Sequence, residues 1–141
     1  MVKVQWGMPA EAEAIRRTVF IEEQAFVEEF DALDDLALHL VVYDDDVPVG
    51  TARVFSDPDE PEIYRIGRVA VSKRSRKSGA GRRVMVLAEA LILAQGGQRV
   101  EIHAQAQAKG FYEKCGYQQQ GPGFIEEDCP HVLMVKELVL R

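Results

Sequence analysis

The chain predicts a mixed α/β fold, one sheet packed with about three helices. Three observations lead there. At 141 residues, 47% of them hydrophobic and 28% charged, the chain suits a single soluble core. Short apolar runs with strand character alternate with helix-period runs. Their order is strand, helix, three strands, helix, strand, helix, two strands, with no internal repeat. The 141 residues are therefore read as one domain.

Val2 to Trp6 alternates as a short strand, and Pro9 follows at a position suited to the first residue of a helix. Ala12, Ile15, Val19 and Phe26 then recur at helical steps and predict a helix from Pro9 to Gln24. Glu28 to Asp35 is too polar for core and predicts a loop, with a helical turn at Ala32 to Leu36. Leu38 to Tyr43 and Val47 to Phe55 flank Asp44-Asp45-Asp46 as an antiparallel hairpin. Ile63 to Ser72 predicts the next strand, with Ile63, Arg65, Gly67, Val69 and Val71 on one face and Tyr64, Ile66, Arg68 and Ala70 on the other. Gly67 marks a bulge or a close backbone approach within it.

Gly81 to Gln95 is the clearest helix: Val84, Leu87, Ala88 and Leu91 form its apolar stripe and Gly96-Gly97 ends it. Arg99 to His103 predicts a strand, Ala106 to Lys114 a short helix, Tyr117 to Gln120 a weaker strand and Val132 to Val139 a closing strand. No apolar run approaches the roughly eighteen residues of a membrane span, and the N-terminus lacks a secretory pattern, which predicts a cytoplasmic protein. Cys115 and Cys129 are read as plain thiols, and no metal site is expected.

The net charge of −6 is unevenly spread. Residues 22 to 62 hold fourteen of the 23 acids, whereas Ile63 to Ala88 holds none and carries eight of the seventeen basic residues. Those eight are Arg65, Arg68, Lys73, Arg74, Arg76, Lys77, Arg82 and Arg83. They bracket Arg76-Lys77-Ser78-Gly79-Ala80-Gly81, a glycine turn between the strand run Val69-Ala70-Val71 and the long helix. Such a turn aims backbone N–H groups and a helix N-terminus at one anion, which makes it a phosphate cradle. A triphosphate-binding loop needs Lys and then Ser or Thr after its last glycine, where this chain has Arg82-Arg83. A dinucleotide fingerprint needs three glycines in the first βα turn and an acid about twenty residues on, and this chain offers two glycines far from its start. The remaining pattern is Arg/Gln-x-x-Gly-x-Gly/Ala, matched by Arg76, Gly79 and Gly81.

Roughly thirty residues later comes Ala108-Lys109-Gly110-Phe111-Tyr112-Glu113-Lys114-Cys115-Gly116-Tyr117. With these two motifs in this order, the chain resembles the GNAT superfamily of acyl-CoA N-acyltransferases. Arg17 to Gln24, His103-Ala104-Gln105 and Pro130 to Met134 are similar to its small bacterial ElaA/YjcF-like type. The resemblance implies one mostly antiparallel sheet of about six or seven strands, splayed in the middle and flanked by about four helices. It also implies acetyl transfer from acetyl-CoA to a primary amine by direct attack in a ternary complex.

By the same resemblance, Val69, Ala70 and Val71 bind the pantetheine arm through their backbone, and Arg76, Lys77, Ser78, Gly79, Ala80, Gly81 and Arg82 hold the pyrophosphate, with Phe111 and Tyr112 close by. Val69 N–H is the expected oxyanion donor and Tyr112 the acid for the departing thiolate. The family's strand-borne carboxylate base is missing, since Arg65 and Arg68 stand there and Glu62 only at the edge. Glu22, Glu23, His103, Glu126, Asp128 and His131 are the candidates that remain, beside water or no base at all where the acceptor arrives as free amine. The expected partners are acetyl-CoA and a small amine, with no nucleic acid and no membrane, and a homodimer stays open. The alternative function is a non-catalytic acyl-CoA-binding or sensing module.

Overall fold

The computed structural model describes residues 1–24 and 30–138. Phe26, the Glu28 end of the acidic loop and Val139 of the closing strand lie outside them. The strands are β1 (Val2–Trp6), β2 (Leu38–Asp44), β3 (Val47–Ser56), β4 (Ile63–Val71), β5 (Arg99–Gln105), β6 (Gln118–Gln119), β7 (Phe124–Glu126) and β8 (Cys129–Glu137). The α-helices are α1 (Ala10–Arg16), α2 (Leu33–Leu36), α3 (Ala80–Ala94) and α4 (Lys109–Lys114). Past Arg16, α1 continues as a wider π-type turn over Arg17–Glu23. The short strand β7 was not foreseen: Glu126, Asp128 and His131 belong to a β7–β8 hairpin, whose turn residues Glu127 and Asp128 adopt positive φ, and not to a loop.

One sheet runs β1-β2-β3-β4-β5-β8-β6, with β7 also on β8, and its only parallel pair among the described residues is β4–β5. Asp45 and Asp46, at φ 48° and 67°, make the tight turn that closes the β2–β3 hairpin. The core lies mainly on one face, where Val84, Ala88 and Ile92 of α3 meet Leu40, Val42, Val54, Ile66, Val100 and Ile102. Each such side chain contributes about 1.5–3 kcal/mol on burial. On the opposite face, Ala12, Ile15, Val19 and Phe20 pack on Val41, Tyr43 and Ala70. The first helix covers β2 to β4.

The face pattern foreseen for β4 does not survive its bulge. Opposite Thr51 to Arg53 the register slips, and Arg68 sits there at φ 51°. An extra residue moves every later side chain to the other face. Tyr64 and Ile66 therefore pack with α3 before the bulge, Val69 and Val71 pack with α3 after it, and Ala70 turns to the first helix. Gly67 lies beside the bulge, but Arg68 carries the left-handed backbone.

Candidate active site

Strands β4 and β5 pair over only Ile63 to Arg65 with Arg99 to Glu101 and then diverge. Along the slot the edge of β4 beyond Arg65 pairs with no strand on that side among the described residues. Ser72 donates its N–H to the Val49 carbonyl, so strand alternation commits the backbone of Ala70 to β3 and turns that of Val69 and Val71 into the slot. Ala70, expected among the pantetheine contacts, thus spends its backbone groups on its partner Thr51.

A cavity of about 210 Å3 fills the slot, lined among others by Phe20, Gly67, Val69, His103 and Tyr112. Tyr112 comes from α4 and is 6% exposed, between Phe111 and Tyr117 with ring centroids at 5.0 and 6.1 Å. Burial pushes its phenol well above the usual tyrosine range, and Cys115 adds to the shift. The hydroxyl is therefore protonated at neutral pH. It has no hydrogen-bond partner among the described residues, so its proton is available inside the cavity.

The glycine turn follows β4. Gly79 caps α3 at φ 88°, and Lys77 takes φ 69° before it. The first N–H to bond within the helix is that of Arg83, to the Gly79 carbonyl, and the N–H groups of Ala80, Gly81 and Arg82 at the helix start have no backbone partner among the described residues. A Cβ at Gly81 would lie 3.1 Å from the Phe111 ring, so α4 packs directly under the cradle. The charged side chains depart from expectation. Arg76 donates to the Val71 carbonyl and to Glu23 at 3.1 and 2.7 Å, and its own N–H bonds Lys73. Arg82 donates to the Lys114 carbonyl, and Arg83 pairs with Asp44. Nearby acids and a helix end thus engage these guanidiniums. Lys73, Arg74 and Lys77 are the exposed cations around it that keep no ion-pair partner among the described residues.

A second cavity of about 500 Å3 opens from the first and shares Ile66, Gly67, Arg68, His103, Glu126 and Glu127 with it. Its wall combines Arg53, Arg65 and Arg68 with Asp31, Glu101, Glu126 and Glu127. Burial raises the Asp31 carboxyl, but the hydrogen bond and charge of Arg53 and the charge of Arg68 outweigh it and hold the group below the usual range. At the junction His103 Nδ1 lies 2.9 Å from Glu126, and its Nε2 lies 3.3 Å from Arg65.

An acetyltransferase (GNAT) domain model matches residues 9–138. The chain belongs to the GNAT acetyltransferase family. It is 40% identical to the uncharacterized protein YyaT of Bacillus subtilis over 91% of this chain and 88% of that one. It is 32% identical to the uncharacterized N-acetyltransferase YjcF of the same organism, over 87% and 88%. Among solved structures it matches Escherichia coli ElaA with a TM-score of 0.81 and 28% identity, covering 97% of this chain and 100% of that one. The sheet, splayed at β4 and β5, is that of a GNAT acyltransferase.

Within this GNAT scaffold the structure gathers Val69, His103 and Tyr112 around one cavity. Glu23 sits apart from them, paired to Arg76, and Asp128 lies in the hairpin turn. His131 is buried, with Nδ1 2.8 Å from the Cys129 carbonyl and Nε2 3.8 Å from Glu126. Sequence reading missed Arg65 and Glu101 as wall residues. The alternation Glu101, His103, Gln105 along β5 was the available signal, since it puts three polar side chains on one face.

Proposed function

We propose that this GNAT acyltransferase moves the acetyl group of acetyl-CoA onto a primary amine by direct attack within a ternary complex. One observation carries the reading: a single cavity joins the open backbone edge of Val69, the buried phenol of Tyr112 and the imidazole of His103, and it opens into a second, charged cavity. The slot edge at Val69 and Val71 suits the amides of a pantetheine arm. The N–H groups of Ala80 to Arg82, with Lys73, Arg74 and Lys77 around them, suit a pyrophosphate.

In the reaction the Val69 N–H receives the acetyl oxygen as negative charge builds on it. Tyr112 gives its proton to the departing thiolate, since its hydroxyl has no hydrogen-bond partner among the described residues and lines the cavity. The acceptor enters through the second cavity. Its wall carries Arg53, Arg65 and Arg68 against Asp31, Glu101, Glu126 and Glu127, an excess of acids that attracts a cationic amine. The 141 residues work as one domain, and the free thiols of Cys115 and Cys129 suit the reducing cytoplasm.

Titration calorimetry with acetyl-CoA, followed by thiol release across a panel of amines with mass-spectrometric product detection, tests this. Micromolar coenzyme binding and an acetylated amine are expected. No detectable binding overturns the reading, and binding without turnover of any amine favours a sensing module.

A further inference from the structure

The junction between the two cavities holds a relay assembled from four strands. His103 projects from β5 with Glu101 on the same face, Arg65 approaches from β4, Glu126 from β7 and His131 from β8. Glu127 of the hairpin turn and Arg68 of the bulge also line the junction. The identity of each partner decides where the protons sit. A guanidinium carries donors and no acceptor, so Arg65 donates to Nε2 of His103. The neutral ring therefore bears its hydrogen on Nδ1 and donates it to Glu126. The second imidazole is placed differently: His131 gives its Nδ1 hydrogen to the Cys129 carbonyl and turns a lone pair towards Glu126 at 3.8 Å, beyond hydrogen-bond reach. Glu126 is thus committed to His103.

We infer that His103 Nε2 takes the proton of the attacking amine, that Glu126 is the positioning residue holding Nδ1, and that Arg65 selects the tautomer. This rests on the acetyl-transfer reading above. The amine attacks in its neutral form, its ammonium proton having gone to water. As its nitrogen bonds the acetyl carbon and the carbon–sulfur bond breaks, the nitrogen's surplus proton passes to Nε2 and the thiolate receives the Tyr112 proton. The amine reaches Nε2 by replacing Arg65, which keeps Asp57 at 2.8 Å and Glu101 at 3.6 Å and so is never left unpaired. The imidazolium that forms is balanced by the Glu126 carboxylate.

Long-range proton–nitrogen spectra of the imidazoles, recorded on the free protein through a pH titration, test the relay without any substrate. Neutral His103 is expected as the Nδ1–H tautomer. Glu126→Leu removes the acceptor for the Nδ1 hydrogen, so it raises the Nε2–H population of His103. Arg65→Leu raises it as well. An Nε2–H tautomer in the wild type, or a tautomer balance that Glu126→Leu leaves unmoved, overturns the inference. With acetyl-CoA and the best amine of the panel, kcat/KM falls in Glu126→Leu and its acid limb vanishes in His103→Gln. An acid limb unchanged in His103→Gln also overturns it. If acetyl-CoA fails to bind, the acetyl-transfer reading falls, while the tautomer result stands as a separate fact.

Discussion

Arg16 and Asp34 form a two-point ion pair, at 2.7 and 3.1 Å, that is almost entirely withdrawn from water. Asp34 also receives Arg53 at 3.0 Å, and Arg53 in turn reaches Asp31, which pairs with Arg68 in the bulge of β4. The chain of charges joins the first helix to the strand that lines the slot. Removing Asp34 takes the two-point carboxylate from the buried Arg16 and one of the two carboxylates from Arg53. Asp34→Ala is expected to lose about 3–5 kcal/mol of stability, measured as a fall in the urea midpoint at pH 7. A loss no larger than that of an exposed Asp35→Ala control would show that the network carries little energy.

Just behind this network stands His39, fully buried, with Nε2 2.8 Å from the Asp34 carbonyl and Nδ1 without a partner among the described residues. Burial lowers its pKa, against the pull of the Asp34 carbonyl. The sign follows from linkage: below the ordinary histidine value of about 6.5 the unfolded chain binds a proton that the folded chain refuses, so stability falls as pH drops below that value. The slope reaches at most about 1.4 kcal/mol per pH unit. Urea unfolding between pH 7.5 and 5 should show it in the wild type and a flatter profile in His39→Gln. Equal slopes would assign the acid sensitivity elsewhere.

The two cradle glycines should fail for different reasons. Nothing lies within 4 Å of a Cβ at Gly79, but its φ of 88° is left-handed, so Gly79→Ala costs about 1–2 kcal/mol through the backbone alone. Gly81→Ala instead presses on the Phe111 ring at 3.1 Å. Acetyl-CoA affinity, by calorimetry, should fall about tenfold for Gly81→Ala. Adding Phe111→Leu should recover part of that loss, and strictly additive losses would count against the contact.

Tyr112→Phe removes a hydroxyl and little volume from the cavity wall. Turnover should drop at least about a hundredfold while acetyl-CoA affinity stays within about threefold. Burst and steady-state thiol release against a saturating amine would measure it. Retained turnover would remove Tyr112 from the acid role.

Much of the fold was legible in order along the chain. The helical period of Val84, Ala88 and Ile92, the acidic hairpin turn at Asp44 to Asp46 and the glycine turn after Val71 are local patterns, because a strand or helix is dictated by neighbours a few residues away. The paired motifs around Gly79 and Tyr112 carried the family as well, since such motifs are also local. What the sequence left undecided were long-range choices. The bulge at Arg68 swaps the faces of β4, and the three-pair β4–β5 ladder opens the slot; both are settled by sheet packing. Arg76, Arg82 and Arg83 looked like phosphate ligands in sequence, yet Glu23, the α4 carboxyl end and Asp44 claim them in space. Arg65, His103 and Glu126 looked unrelated, separated by 38 and 23 positions, yet they meet across strands. A charged side chain pairs with whatever the folded sheet brings within a few ångströms, and only the tertiary structure decides that.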